Sequence, residues 1–244
     1  HALNLKAERR FSSGFQILTA YTWAKSIDTD SGGAWGTPNL NPANFNLDVG
    51  PSDFNIDHRI VASMMWELPF GRGRRWANGI SRGADLILGG WQLNAIPSWQ
   101  SGVRRIVGSP NTTTLGFVSQ RADATGLGMY DSFNGITPRQ DFGGANTRRY
   151  WLNPGAFAAT QPLKFGTSGR NILSGPAWTN FDLSLFKTFE LSETKNIQFR
   201  WEAFNALNNV QFNPPDLNVV SPNFGTLQSA QRPRVMQLAL RYTF

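Results

Sequence analysis

The sequence predicts an all-β fold in which antiparallel strands follow one another as an up-and-down meander. Apolar residues recur at every second position in several segments, as in strands that have one apolar and one polar face. Stretches rich in Gly, Asn, Pro and Ser, which favour turns, separate these segments. The composition agrees, since the 244 residues include 24 Gly, 14 Pro and 13% aromatic residues.

The composition also narrows the class of protein. Charged residues make up only 16% of the chain, against about 25% in ordinary soluble domains, although the mean hydropathy is −0.33. A barrel that crosses a membrane gives such averages, because its strands have one lipid face and its loops are polar. No stretch approaches the roughly 18 consecutive apolar residues of a membrane helix. The lack of Cys excludes disulfides and thiolate metal sites.

The net charge of +7 raises nucleic acid as a partner class. Lys and Arg are scattered singly, however, apart from one short cluster at Arg72, Arg74 and Arg75. No motif that reads nucleic acid accompanies them, and we therefore expect no nucleic-acid partner.

The C-terminal segment has the clearest strand pattern. Its apolar positions, with Gln, Ala, Arg and Thr between them, are Met236, Leu238, Leu240, Tyr242 and Phe244. This strict period of two predicts a strand that ends at the last residue.

Two earlier segments repeat the pattern, at residues 181–191 and 197–203, and the tight connection Ser192–Glu193–Thr194 predicts that they form a hairpin. Lys187 interrupts the apolar face of the first segment, and Phe186 lies on its polar face. Either a β-bulge or a Lys whose charged end reaches water explains this irregularity.

The N-terminal half adds four segments of the same kind, at residues 3–7, 15–23, 60–68 and 91–99. A turn signal at Ser12–Ser13–Gly14 separates the first two, and Pro97 weakens the last. The chain therefore contains about seven strands by this period-two criterion.

Short and long connections alternate between these strands. Residues 12–14 and 192–194 are tight turns, residues 26–57, 102–179 and 207–233 are long, and the Arg-rich connection 68–90 is longer than expected for its place. Barrels of the bacterial outer membrane have short periplasmic turns, long extracellular loops and an even number of strands. The odd count predicts an open arc whose missing strands lie upstream, and a hidden hairpin in 102–179 would leave the count odd.

Several runs resemble the Oar-like, TonB-dependent barrels of the outer membrane. They are residues 21–28 (YTWAKSID), 57–63 (DHRIVAS), 67–73 (ELPFGRG), 89–93 (GGWQL), 170–176 (RNILSGP) and 180–187 (NFDLSLFK). The resemblance covers most of the chain outside residues 103–165.

The resemblance implies a barrel of about twenty-two strands with a plug domain and a TonB-contacting segment in front. Residues 1–244 would then be the C-terminal segment of such a barrel, without its plug domain and signal peptide, and would reach TonB only through the missing N-terminal parts. The C-terminal strand resembles the signal by which the barrel assembly machinery recognises its substrates. The residues of that signal would be Met236, Leu238, Leu240, Tyr242 and Phe244.

Aromatic residues near the predicted strand ends form a second candidate site. They are Tyr21, Trp23, Trp66, Trp91, Trp99, Tyr242 and Phe244. Amphipathic rings prefer the membrane interface, so we expect an aromatic girdle in contact with outer-membrane lipid. Two alternatives are the core of a soluble β-sandwich and a set of sugar-stacking platforms.

Catalytic and metal-binding patterns are weak. Asp57, His58 and Ser63 lie close together, but a triad depends on geometry and no nucleophile elbow is present. Asp28 and Asp30 lie in an acidic loop that lacks the calcium-binding pattern. We therefore predict no enzymatic activity, no cofactor and no resident metal.

The long connection 102–179 is the best candidate for contacts with a ligand, since long ordered loops are often functional. Its aromatic residues include Phe133, Phe142, Tyr150, Trp151 and Phe157.

The Arg72–Arg75 cluster of the connection 68–90 either touches anionic lipid headgroups or keeps a turn soluble.

Two functions remain at this point. The first is an outer-membrane barrel segment of a TonB-dependent, Oar-like transporter that takes up an unknown substrate. The second is a soluble β-rich module that binds carbohydrate through surface Trp and Phe. The first predicts that the isolated chain is insoluble without detergent, because its sheet edges and apolar face are unpaired.

Overall fold

A computed structural model describes residues 1–31, 39–111, 120–140, 148–192 and 194–244. Its main element is a sheet of seven antiparallel strands in which each strand pairs with its neighbour in the chain. The strands are β1 (Ala2–Ser12), β2 (Phe15–Ala24), β3 (His58–Glu67), β4 (Trp91–Gln100), β5 (Trp178–Glu190), β6 (Asn196–Phe204) and β7 (Val235–Thr243). The predicted up-and-down meander is thus confirmed, with strand ends within two residues of those predicted for five strands and within three for β5. Strand β1 continues five residues beyond the predicted segment 3–7, as far as Ser12.

The connections fall into two sets at opposite ends of the sheet. Residues 13–14, 68–90 and 191–195 lie at one end, which we call the short-loop end. Residues 25–57, 101–177 and 205–234 lie at the other end, and we call them together the loop layer. The alternation predicted from sequence is therefore present, and it includes the longer connection 68–90.

The backbone geometry of the turn between β1 and β2 explains why Gly occupies position 14. Ser13 and Gly14 both have positive φ angles, of 53° and 78°, which Gly adopts without steric cost. A Cβ atom at Gly14 would lie 2.9 Å from the carbonyl oxygen of Glu67, and the Glu67 amide donates to the Gly14 carbonyl over 2.7 Å. Only Gly allows this close approach of two backbones.

The connection 68–90 contains an α-helix that the sequence analysis did not predict. Helix α1 spans Arg82–Leu88, and the side chain of Ser81 caps its N-terminus by accepting from the amide of Ala84. In the described part of the chain, no helix is long and apolar enough to cross a membrane.

The loop layer has only short regular elements. Three two-residue ladders pair Ile27–Asp28 with Gly50–Pro51, Arg104–Arg105 with Leu173–Ser174, and Asp123–Ala124 with Phe157–Ala158. Two 3₁₀ helices span Phe45–Asp48 and Pro154–Ala156. None of these ladders joins the main sheet among the described residues.

The buried core of the molecule lies in this loop layer. Its fully buried apolar residues are Val107, Ala122, Leu152, Ala156, Phe157, Leu173 and Phe224. They come from residues 101–177 and 205–234, so two connections that are distant in sequence form one packed unit.

Candidate functional site

The strand register places the predicted apolar positions on one side of the sheet. Residues that pair directly across antiparallel strands have their side chains on the same face. One row of paired residues crosses six strands and consists of Phe15, Trp66, Leu93, Leu185, Trp201 and Leu238. The next row consists of Ile17, Met64, Ala95, Leu183, Ala203 and Met236. These rows form a continuous surface, which we call the apolar face.

The apolar face has no protein layer over it in the described part of the chain. Leu238 is 69% exposed and Leu240 is 71% exposed. In a soluble β-sandwich these side chains would pack against a second sheet about 10 Å away. The sandwich alternative is therefore wrong, and an apolar surface of this extent requires a non-aqueous neighbour.

The seven aromatic residues singled out from sequence belong to or adjoin this face. Tyr21, Trp23 and Trp99 lie at the end next to the loop layer, with Trp23 paired to His58 and Trp99 to Ile60. The others lie towards the short-loop end, namely Trp66, Trp91, Tyr242 and Phe244. Aromatic side chains thus occur at both ends of the apolar face.

The opposite side of the sheet carries polar and charged side chains, and we call it the polar face. Gln92 donates to Asn94 over 2.7 Å, and Arg200 donates to Gln198 over 2.7 Å. The Arg200 guanidinium also lies 4.9 Å from the ring centre of Phe186. This contact explains why Phe186 is compatible with the polar face, since a cation lies against its ring.

The structure decides between the two explanations of Lys187. The pairing of β5 with β4 and β6 shows no register shift, so no bulge is present. Lys187 is only 3% exposed, and its ammonium donates to the carbonyl oxygen of Gly89. The ammonium also lies 5.4 Å from the ring centre of Trp91 and 5.0 Å from that of Phe189. Lys187 is thus a buried cation under the connection 68–90 and does not reach water.

The strand register separates the residues of the weak catalytic pattern. His58 pairs with Trp23 on the apolar face, whereas Ser63 pairs with Leu18 on the polar face. The two side chains therefore point to opposite sides of the sheet. The Nδ1 atom of His58 instead lies 2.8 Å from the hydroxyl of Tyr21.

In the loop layer, four aspartates of residues 25–57 form ion pairs with arginines of residues 101–177. Arg170 contacts Asp28 and Asp53, Arg121 contacts Asp48, and Arg104 contacts Asp57. The side chain of Arg170 is 3% exposed, and it donates to the Ser31 hydroxyl over 2.6 Å. These ion pairs join two long connections into one layer.

The same ion pairs lie in the acidic loop that contains Asp28, where a calcium site was considered from the sequence. Burial raises the pKa of Asp28, but hydrogen bonds from Arg170, Ser52 and Ser31 outweigh this effect and hold the pKa below its ordinary value. Burial lowers the pKa of Arg121 despite the nearby carboxylate of Asp48. Guanidinium groups therefore occupy the acidic loop, and the described residues contain no group of three metal-ligating side chains.

The aromatic residues of the connection 102–179 mostly serve packing. Phe157 lies in the buried core with its ring edge-on to Phe224 at 6.3 Å. Trp151 packs against that core and donates from its indole to the Ser174 carbonyl over 2.8 Å. The ring of Tyr150 contacts Phe133 at 5.0 Å, and Phe142 lies outside the described residues.

Arg139, which the sequence analysis did not single out, organises this part of the layer. Its guanidinium lies 3.5 Å from the ring centre of Tyr130 and 4.6 Å from that of Trp151. Burial lowers the pKa of Arg139 and raises that of Tyr130. A cation between two aromatic rings helps to fix this part of the loop.

A cavity of about 450 Å³, with both polar and apolar residues in its lining, opens in the loop layer. Its lining includes Asp53, Arg104, Arg105, Asn171 and Asn218. Sequence reasoning missed this cavity because its walls come from three different connections.

Comparison with known proteins agrees with this geometry. A family model for an outer membrane beta barrel domain matches residues 1–237. No curated protein and no solved structure matches the chain. The matched region includes β1 to β6 and the first three residues of β7.

Proposed function

We propose that this chain, which belongs to the outer membrane beta barrel domain family and is localised to the outer membrane, is the C-terminal barrel segment of a TonB-dependent, Oar-like transporter. The observation that carries the proposal is the division of one continuous sheet into an apolar face and a polar face. The apolar face contacts lipid and the polar face lines the lumen through which a substrate passes. The transporter assignment itself comes from the motifs that resemble the Oar-like barrels.

We assign the short-loop end to the periplasm and the loop layer to the cell exterior. Outer-membrane barrels generally place short turns in the periplasm and long loops outside. In this orientation the C-terminal strand β7 runs inward and ends at the periplasm. The packed core and ion pairs of the loop layer then serve a structure that faces the medium and meets substrates first.

The two sets of residues predicted from sequence receive roles within this proposal. The aromatic residues at both ends of the apolar face form the girdles at the two membrane interfaces. The exposed apolar row of β7 is the signal read by the barrel assembly machinery. A plug domain and a TonB-contacting segment N-terminal to residues 1–244 supply gating and energy coupling, and the chain catalyses no reaction.

The transport proposal is tested in cells that produce the full-length protein. Uptake of candidate nutrients is compared between strains with and without functional TonB, using cells without the transporter as the baseline. We expect uptake that disappears when either TonB or the transporter is removed. Transporter-dependent uptake that persists without TonB would contradict the proposed mechanism and leave only a passive channel.

The assignment of the two faces is tested separately by spin labels. Because the chain has no Cys, a single Cys at Leu238 and a matched Cys at Gln237 report neighbouring positions on opposite faces. Any Cys elsewhere in the full-length protein is first replaced by Ser. In proteoliposomes we expect oxygen, which concentrates in lipid, to relax the label at 238, and a water-soluble nickel chelate to relax the label at 237. Equal responses at both positions would refute the division into lipid and lumen faces.

A further inference from the structure

The connection between β3 and β4 lies against the apolar face at the short-loop end. The indole of Trp91 donates to the carbonyl oxygen of Ile87 over 2.8 Å, and the ammonium of Lys187 donates to that of Gly89. Trp91 and Lys187 pair with each other and belong to the apolar face. The C-terminal end of α1 is therefore fixed on the outer side of the sheet and not over the lumen.

Helix α1 exposes its apolar residues at this place. Ile87 is 71% exposed, and Leu86 and Leu88 are 41% and 49% exposed. Phe70 and Trp76 of the same connection are also exposed, with their rings 5.1 Å apart. Trp91 links α1 to the apolar face, so the lipid that covers the sheet continues over the helix.

Basic residues accompany this apolar group. Arg72, Arg75 and Arg82 are exposed and have no ion-pair partner among the described residues, whereas Arg74 pairs with Glu67 over 3.0 Å. The guanidinium of Arg75 lies 5.8 Å from the ring centre of Trp76. Apolar side chains flanked by unpaired arginines are typical of segments that lie in the interface of an anionic membrane.

We propose that residues 69–90 form an interfacial anchor that binds anionic phospholipid in the periplasmic leaflet of the outer membrane. Ile87 and its neighbours enter the acyl-chain region, and the three unpaired arginines contact lipid phosphates. A turn that only needed to stay soluble would not expose Ile87 beside Trp91. The anchor rests on the proposed orientation, in which the short-loop end faces the periplasm.

The anchor is tested with the full-length protein in nanodiscs. A single Cys at Ile87 carries a fluorophore, and spin-labelled phosphatidylglycerol or spin-labelled phosphatidylcholine is added as quencher at equal mole fraction. We expect both lipids to quench, because the helix lies in the interface. Phosphatidylglycerol should quench several-fold more strongly, since each basic residue near an anionic surface favours it by about fivefold.

A triple variant and a matched control separate charge from position. In the variant Arg72→Gln, Arg75→Gln and Arg82→Gln, the preference for phosphatidylglycerol should fall to about one while quenching persists. The control removes three arginines of the loop layer and should keep the preference; it consists of Arg105→Gln, Arg149→Gln and Arg232→Gln. Absence of quenching by either lipid, or equal quenching in the unmodified protein, would overturn the anchor. Unchanged preference in the triple variant would also overturn it.

Orientation is measured independently on intact cells. An impermeant thiol reagent should label a Cys at the exposed Ala159 of the loop layer directly, and a Cys at the exposed Ser192 of the short-loop end only after the outer membrane is opened. Direct labelling at position 192 would refute the orientation and the periplasmic anchor together. Correct labelling without lipid preference would refute the anchor alone.

Discussion

The sheet and the loop layer of this protein are stabilised in opposite ways. Among the described residues, the only fully buried apolar side chains of the sheet are Ala95 and Ala203. The others lie in the loop layer and are Leu40, Val107, Ala122, Leu152, Ala156, Phe157, Leu173, Phe224 and Leu227. The large apolar residues of the sheet point outward, so lipid takes the place of a protein core, whereas the loop layer has a core and buried ion pairs of its own.

The largest effect is expected for a charge on the apolar face. Leu183 lies in the middle of β5 and pairs with Ala95 and Ala203. The substitution Leu183→Arg should lower the free energy of unfolding by about 4 kcal/mol, because a charge on the lipid face is least favourable at the bilayer midplane. The free energy of unfolding is measured by urea titration in lipid vesicles, with heat-modifiable migration as the readout.

Ser184→Arg is the matched control, since Ser184 pairs with Asn94 and Glu202 on the polar face. It should change the free energy of unfolding by less than about 1 kcal/mol, because a lumen-facing charge stays hydrated. If both variants lose the same stability, lipid does not stabilise the apolar face as the comparison requires.

A loss of about 3 kcal/mol is expected when Arg170 of the loop layer is replaced by Leu. Removing one partner of a buried ion pair leaves an uncompensated charge, and the partly exposed Asp28 and Asp53 moderate the cost. The loss should be confined to the loop layer, so surface proteolysis should accelerate while heat-modifiable migration stays unchanged. Loss of both properties together would mean that sheet and loop layer unfold as one unit.

The sequence predicted the sheet better than the loop layer, for a physical reason. Period-two patterning arises from neighbouring residues in one strand, so it located β7 and the apolar row from Met236 to Tyr242 directly. The core of the loop layer depends on contacts between distant segments, such as that of Arg170 with Asp28, which are 142 residues apart. No local pattern records such a contact.

Two further features could not be predicted from the sequence and became visible only in the structure. Helix α1 has only seven residues, which is too short for helical periodicity to appear, although Ser81 is a recognisable cap. The sequence identified Lys187 of β5 as an irregular position, but its burial depends on the carbonyl of Gly89, which lies in the connection 68–90. The predicted girdle residues lie on or beside the apolar face, while their role as a girdle remains a prediction.

Acid should loosen the loop layer before it affects the sheet. Because the pKa of Asp28 is lowered from 3.8 in the folded protein, its contribution to stability is complete above that value and is lost as the pH falls through the lower, folded pKa. The hydrogen-exchange protection of residues 25–31 and 39–57, which is the slowing relative to the intrinsic exchange rate at the same pH, should therefore decrease at low pH. Asp28→Asn should show weaker protection at neutral pH and a smaller acid response; an unchanged response would assign the effect to other carboxylates.

The smallest effect is expected for the ion pair between Lys6 and Glu8 on β1. Its atoms are 3.0 Å apart, closer than the 3.4 Å between the buried side chains of Arg121 and Asp48, yet the side chains of Lys6 and Glu8 are 65% and 36% exposed. Exposed pairs contribute about 0–1 kcal/mol, since water screens them and ordering two flexible chains costs entropy. Lys6→Gln should therefore leave the urea midpoint almost unchanged. A loss equal to that of Arg170→Leu would show that exposure to water does not weaken ion pairs in this protein.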